Sequence, residues 1–472
     1  MPELFLIFIP AAPEMLLMIG AACLFVVPRM AQRAYFYVLF SCVLVLLLQD
    51  RNIGLNVIEG KLDPTASSTT FSGMFIVDCF TKIQKLTVCA WTLLYVLITS
   101  KFKKFCGDEL FGIATIVFGS MLAISANDFM LLFLGYEFIS FGTIVFLKSN
   151  DKEILINVFT MLGIGTALIL FGTSIFYGVF GTTDFSVLST NMAEKQPFTN
   201  VAVVLLLMGL FAKSLYLPAH GLCIEAAEKT DLSAFILVSF VSNLTTFSTM
   251  GRIVTLFRSE PVVHALLLFG FFGMALGLLG VIRHSQIKNI LACHLIGTVG
   301  MLHFGLGALR LSSISSSLTL LAVYGLSLLV FLGGTLLIER QCGKIVTLND
   351  LLRIHNKSPW GMFLLVFGIL NLFNVLPTPG FIHFFTFTMN FVDSEAFAPL
   401  WIVLTLKTIS MAAGLKFVQA LVIRSGDAPH ANATPFPTLA VVISLALVVW
   451  AVYSDSISNV FMLAETTLKC FL

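Results

Sequence analysis

Residues 201–235 read VAVVLLLMGLFAKSLYLPAHGLCIEAAEKTDLSAF. This apolar run carries one lysine, Lys213, in mid-course; Pro218 follows, then His220. A lysine inside hydrocarbon costs roughly 2.5–3.5 kcal/mol on insertion scales. A proline inside a helix removes a backbone hydrogen bond and clashes with the preceding turn. A membrane chain tolerates such groups only where protein or water satisfies them. Both in one segment predict a helix broken at membrane depth around an ion site.

Composition supports the membrane setting. The chain has 472 residues, 58% hydrophobic and 11% charged, with mean hydropathy +0.98. A soluble domain carries about 25% charged residues. The fold class is therefore an all-α polytopic membrane protein. Net charge is +2, so no basic field points to nucleic acid. The loops are too short for a soluble catalytic domain. Nine cysteines are scattered without a CxxC, which indicates neither an iron–sulfur cluster nor structural zinc. No metal site and no motif for a bound redox cofactor is present.

Spans need about 20 apolar residues. The pattern predicts about fourteen, near 4–27, 34–49, 74–99, 110–126, 129–147, 154–181, 200–217, 232–257, 262–282, 288–308, 314–338, 360–392, 399–423 and 436–453. Loops after odd-numbered spans hold most of the Lys and Arg, among them Lys101, Lys103, Lys104, Arg283, Lys288 and Arg340. That bias is what the positive-inside rule requires of an even count. The first span lacks the basic region of a signal peptide and is expected to be retained. Glu14 within it is expected at the interface. The last residues form a short amphipathic tail. No linker divides the chain, so it is treated as one transmembrane domain.

Ionisable groups inside spans are the candidate functional residues. Glu137 sits in the middle of LLFLGYEFISFGTIVFL. With Lys213 in a nearby span, the two charges would make each other tolerable at depth. A close carboxylate favours the ammonium, and a distant one leaves desolvation to favour the amine. That toggle is the elementary step of a proton pump. The span 360–392 repeats the theme, with Pro377, Pro379 and Gly380 breaking it just before His383. Two interrupted helices in corresponding halves indicate inverted repeats, here 110–257 against 262–423. Lys82 and Lys85, beside Asp78, are expected to snorkel to an interface. Lys407 lies deep enough to need a partner. His294 and His303, nine residues apart and so roughly on opposite faces of one helix, are assigned as ligands to nothing.

In this order, LGYEFISFGTIVF, GLFAKSLYLPAHGL, HSQIKNILACHLIGTVGML and LPTPGFIHFF resemble the antiporter-like membrane subunits of respiratory complex I. The nearest likeness is to the second-subunit type of NADH–ubiquinone oxidoreductase in its mitochondrial form. The likeness covers most of the chain; the superfamily also includes the Mrp-type cation/proton antiporters. It implies fourteen helices, two inverted five-helix repeats, and breaks in the seventh and twelfth spans. It implies proton translocation driven by quinone reduction elsewhere in a complex. Glu137, Lys213 and His220 match the family's span-five glutamate, span-seven lysine and following histidine. The chain departs from the family where a span-eight lysine is usual: that region offers Val241 and Asn243. His383 and Phe384 stand where a span-twelve lysine is usual, and Thr298 replaces a histidine. Water, Asn243, His294 or His383 could bridge a relay that lacks these lysines. The implied relay is Glu137, Lys213, His220 and His383, with Lys407 and Asn243 as further candidates. The implied partners are other membrane-arm subunits and the bilayer. NADH, FMN, iron–sulfur clusters and ubiquinone would belong to the partners, and no cofactor to this chain. The Phe-rich composition, 46 Phe, is compatible with a mitochondrial inner-membrane protein; a bacterial or plastid membrane is the alternative location. The alternatives are an Mrp-type antiporter subunit and a structural subunit that has lost pumping.

Overall fold

The computed structural model describes residues 11–24, 32–49, 68–147, 151–190, 196–308, 314–343 and 358–423. They form helices joined by short turns and one small hairpin. Two compact units divide the chain, with boundaries after Leu93, after Lys104 and after Leu266. The first and last of these cuts fall inside helices, so no change of composition marks them.

The first unit opens with α1 (Ala12–Cys23), α2 (Gln32–Gln49), the hairpin β1 (Ser68–Thr70) and β2 (Phe75–Val77), and α3 (Cys79–Thr99) up to Leu93. It continues with α4 (Gly107–Ile124), α5 (Phe129–Phe146), α6 (Lys152–Phe180), the short α7 (Phe185–Thr190), α8 (Gln196–Lys213), α9 (His220–Lys229) and α10 (Leu232–Leu256). The second unit holds most of α11 (Glu260–Arg283), then α12 (Ile287–Ala308), α13 (Ile314–Cys342), α14 (Pro359–Leu372), α15 (Pro379–Asp393) and α16 (Phe397–Ile423). Each predicted span within the described residues overlaps a helix or a helix pair. The predicted span 436–453 and the amphipathic tail lie outside the described residues.

Eight of the described helices are long and apolar enough to cross a membrane: α4, α5, α6, α10, α11, α12, α13 and α16. Their burial differs sharply. Residues 233–255 of α10 are buried throughout, although the helix is rich in Ser and Thr. It tolerates this because its hydroxyls bond their own backbone: Ser239 to Phe235, Thr245 to Val241 and Ser248 to Leu244. In contrast, α6 turns Ile156, Phe159, Phe171 and Tyr177 outward, the apolar face a bilayer or a neighbouring helix would cover. Glycines bring α4 and α5 together. A Cβ on Gly135 would stand 2.6 Å from Ala123 N, and one on Gly119 2.5 Å from Gly135 O, the close backbone approach that small residues permit between membrane helices.

Three expectations need correction. Residues 74–78 are not helical: β2 pairs with β1 in the register Thr69↔Ile76, and α3 starts only at Cys79. Glu14 is enclosed by protein, and the Lys85 amine does not reach the surface. Each side chain is 2% exposed, and the two form an ion pair between α1 and α3. A buried charge needs an opposite partner, and each supplies the other's. Asp78, just before α3, is likewise buried and accepts from Arg252 Nη2 of α10 at 2.7 Å.

Candidate functional site

The predicted break falls where the prolines lie, but Lys213 does not sit in mid-helix. It is the last residue of α8. The chain closes there in a Schellman turn: Tyr216 N–H donates to Phe211 O at 2.9 Å and Leu215 N–H to Ala212 O at 3.1 Å. Leu215 takes φ +53°, the left-handed position usual for the residue after a helix. A cis Leu217–Pro218 bond follows, and α9 starts at His220. Continuing the helix would set the Pro218 ring against the Ser214 carbonyl and leave that carbonyl without its N–H donor, so the helix ends before it. Its last carbonyls therefore gather near Lys213, the end where a cation is favoured.

Unit two contains the same turn. Val375 N–H donates to Leu370 O at 2.9 Å, Asn374 N–H to Asn371 O at 3.1 Å, and Asn374 has φ +58°. The cis bond is Leu376–Pro377. Two asparagines tie this break together. Asn371 Oδ1 accepts from Gly380 N–H at 2.6 Å, and Asn374 Nδ2 donates to Gly380 O at 2.7 Å.

At the first break the two predicted charges meet. Lys213 Nζ donates to Glu137 Oε1 at 2.7 Å and to Ser140 Oγ at 2.8 Å. Glu137 and Ser140 share a face of α5 because they are three residues apart. Glu137 Oε1 also accepts from Thr166 Oγ1 of α6 at 2.5 Å. Ser140 in turn donates to Tyr136 O at 2.7 Å, and the buried Tyr136 hydroxyl lies 2.8 Å from Thr249 Oγ1 on α10. The pair is asymmetric: the Lys213 side chain is 2% exposed and that of Glu137 39%. A cavity of about 20 Å³ adjoins Lys213, lined also by Thr143, Ser214, Ser239 and Ser242, with room for a water.

Other predicted residues stand apart from this pair. His220, at the start of α9, is half-buried, and its Nδ1 lies 3.2 Å from Pro218 O. Among the described residues no hydrogen bond joins it to Lys213. Asn243 turns back on its own helix and donates to Ser239 O at 2.7 Å. In unit two, His383 is buried in α15 and Lys407 in α16. No residue of α15 lines the cavity beside Lys407 among the described residues. Sequence reasoning missed Ser140 and Thr166. Ser140 was open to discovery, being three residues after Glu137. Thr166 lies in a chargeless run that gives no signal. Among the described residues no cluster of His, Cys, Asp or Glu gathers that would hold a metal ion.

Outside the spans, the Asp151 side chain caps α6 by accepting from Glu153 N–H at 3.0 Å. It also meets Lys229 Nζ at 2.8 Å. The hydrogen bond from Lys229 holds the Asp151 carboxyl below its usual range. Asp151 and Glu225 hold the Lys229 amine above its own.

The sequence model of the membrane-spanning NADH:quinone oxidoreductase/Mrp antiporter family matches residues 126–411. The chain belongs to this family. That stretch runs from the residue before Asn127 to the middle of α16, so it contains both broken helices described above. NADH-quinone oxidoreductase subunit N of Nitrosomonas europaea is 23% identical over 440 residues, 90% of this chain and 89% of the relative. A chain of the archaeal membrane-bound sulfane sulfur reductase superposes with a TM-score of 0.85 at 13% identity, over 98% of this chain and 97% of that one. A chain of respiratory complex I from Thermus thermophilus gives 0.76 at 17%, over 95% and 98%. These structural likenesses show a shared polytopic helical fold.

Proposed function

We propose that this chain is a proton-translocating membrane-arm subunit of an NADH:quinone oxidoreductase, coupled to quinone reduction in partner subunits. The observation that carries this is the Lys213–Glu137 contact of 2.7 Å at the end of a broken helix. A dry helix bundle gains nothing from such a pair, because desolvating two charges offsets their attraction. A pump gains a proton store. Glu137 and Ser140 hold the ammonium; when the carboxylate moves away, the buried charge loses its partner and the proton leaves. Water taken up by the cavity beside Ser214 and Ser239 would receive the proton next. His220 and His383 are the further proton carriers in this reading, and Asn243 a hydrogen-bonding way-point. The two breaks belong to inverted repeats at 110–257 and 262–423, which their matching turns support.

The chain binds no redox cofactor in this reading. NADH, FMN, iron–sulfur clusters and ubiquinone belong to its partners, the other membrane-arm subunits. Residence as a second-subunit type in the mitochondrial inner membrane is compatible with the Phe-rich composition, 46 Phe; the likeness to a bacterial subunit N favours a bacterial membrane as the alternative. The test is Lys213→Met in the assembled complex, reconstituted in vesicles. Protons moved per NADH should fall with assembly retained; unchanged stoichiometry would fit a structural subunit and overturn the proposal. An Mrp-type antiporter is the second reading, since the matched family covers both. Purification separates them: a complex I subunit travels with quinone-reducing partners.

A further inference from the structure

A deeply placed lysine in unit two solves the same problem differently. Lys407 of α16 is 7% exposed, and among the described residues it has no ion-pair or hydrogen-bond partner. It lines a cavity of about 30 Å³ with His294 and Thr298 of α12, Gly277 of α11 and Ser410 of its own helix. All lie in unit two. His294 and Thr298 are one turn apart, so they share a face of α12. Both are buried, and His294 Nε2 and Thr298 Oγ1 have no protein partner.

The imidazole is held in place. Its Nδ1 lies 3.4 Å from the Tyr324 hydroxyl. Its ring packs on Phe373 at 4.2 Å between centroids, and Phe373 is the last cap of α14 before the second break. The backbones of α11 and α12 close the far side: a Cβ on Gly277 would stand 2.4 Å from Gly297 N. No carboxylate lines the cavity. The titratable groups facing it are Lys407 from α16 and His294 from α12, with Tyr324 of α13 behind the imidazole.

Buried polar groups without partners are rare and are commonly satisfied by ordered water. A water needs roughly 10–15 Å³ of such space and two to four polar neighbours; this cavity supplies both. An amine, an imidazole nitrogen and a hydroxyl offer complementary donors and acceptors to it. We propose that Lys407, His294 and Thr298 enclose a water-filled proton-binding site in unit two. Its ligands are water and the proton that water passes between the amine and Nε2. Where unit one holds its proton on a lysine steadied by a carboxylate, this site holds it on a lysine steadied by water. The proposal rests on the pumping reading above and adds a binding site to it.

The test uses the assembled complex in proteoliposomes, with Lys407→Met, His294→Gln and Lys213→Met read side by side as protons moved per NADH. The expected result is a fall of about tenfold or more in all three, the scale of losing a proton-transfer group. If Lys213→Met fails and Lys407→Met still pumps normally, the site is refuted while the pumping reading stands. If all three pump normally, the pumping reading itself is refuted. Should the Lys407 variant not assemble, a high-resolution map of the unmodified complex decides. Ordered water within hydrogen-bonding reach of Lys407, His294 Nε2 and Thr298 Oγ1 supports the site, and a dry cavity overturns it.

Discussion

Gly165 of α6 lies against the stem of Lys213: a Cβ at residue 165 would stand 3.1 Å from the lysine Cγ and 2.9 Å from Gly209 O. The absence of one side chain therefore lets α6 and α8 approach until the amine reaches α5. Gly163, two residues earlier, has nothing within 4 Å of its own would-be Cβ. Gly165→Leu should part the helices, lower stability by about 1–3 kcal/mol and reduce proton translocation. Gly163→Ala should leave both unchanged. Thermal melting and vesicle acidification of the two complexes check this.

The unequal exposure of the charged pair predicts unequal consequences. Removing Glu137 strands an ammonium in a nearly sealed site. Removing Lys213 leaves a carboxylate that is open on one side and still bonded to Thr166. Glu137→Leu should therefore destabilise more than Lys213→Met. Its loss should stay below the about 3–5 kcal/mol of a fully enclosed broken pair. Denaturation midpoints of the purified complex give the ranking; equal losses would contradict the geometry.

The Glu14–Lys85 pair is enclosed on both sides, so its single variants should be severe. Lys85→Met or Glu14→Gln alone should cost about 3–5 kcal/mol, and Lys85→Met with Glu14→Leu should recover most of it. A double-mutant cycle on assembly yield and melting temperature measures the coupling.

Asp151 and Lys229 give a pH dependence outside the membrane. The Asp151 carboxyl is held low in the folded chain, so its contribution is present above the ordinary carboxylate range. That contribution is lost as pH falls through the depressed value. The melting temperature of the native protein should therefore fall further on acidification below about pH 4 than that of Asp151→Asn. Parallel pH titrations of melting test this, and identical curves would remove the pair's role.

Gly380 guards the second break. A Cβ there would stand 2.3 Å from Asn371 O, against backbone that cannot yield. Gly380→Ala should push α15 from α14 and unseat the Asn371 and Asn374 bonds, which a map of the variant would display as an altered turn.

Much of this was legible in one dimension. Hydropathy located the helices because lipid offers the backbone no partner, so a span must be both long and apolar. Prolines located both breaks because their effect is local to the chain. The charges of Glu137 and Lys213 were legible as a pair because two opposite charges at depth have few other solutions.

What the chain order could not supply was rotation about each helix axis. An apolar helix in an apolar solvent has little preference for one face. Whether Lys85 snorkels or meets Glu14, and whether Lys407 meets a carboxylate or water, depends on which faces the packing turns together. The sequence thus determined the spans, the breaks and the presence of buried charge. Only the tertiary structure decided the partners: Ser140 and Thr166 around Lys213, and His294 and Thr298 around Lys407. Partner choice is set by close approach between helices far apart in the chain, at glycines whose neighbours no local pattern reveals.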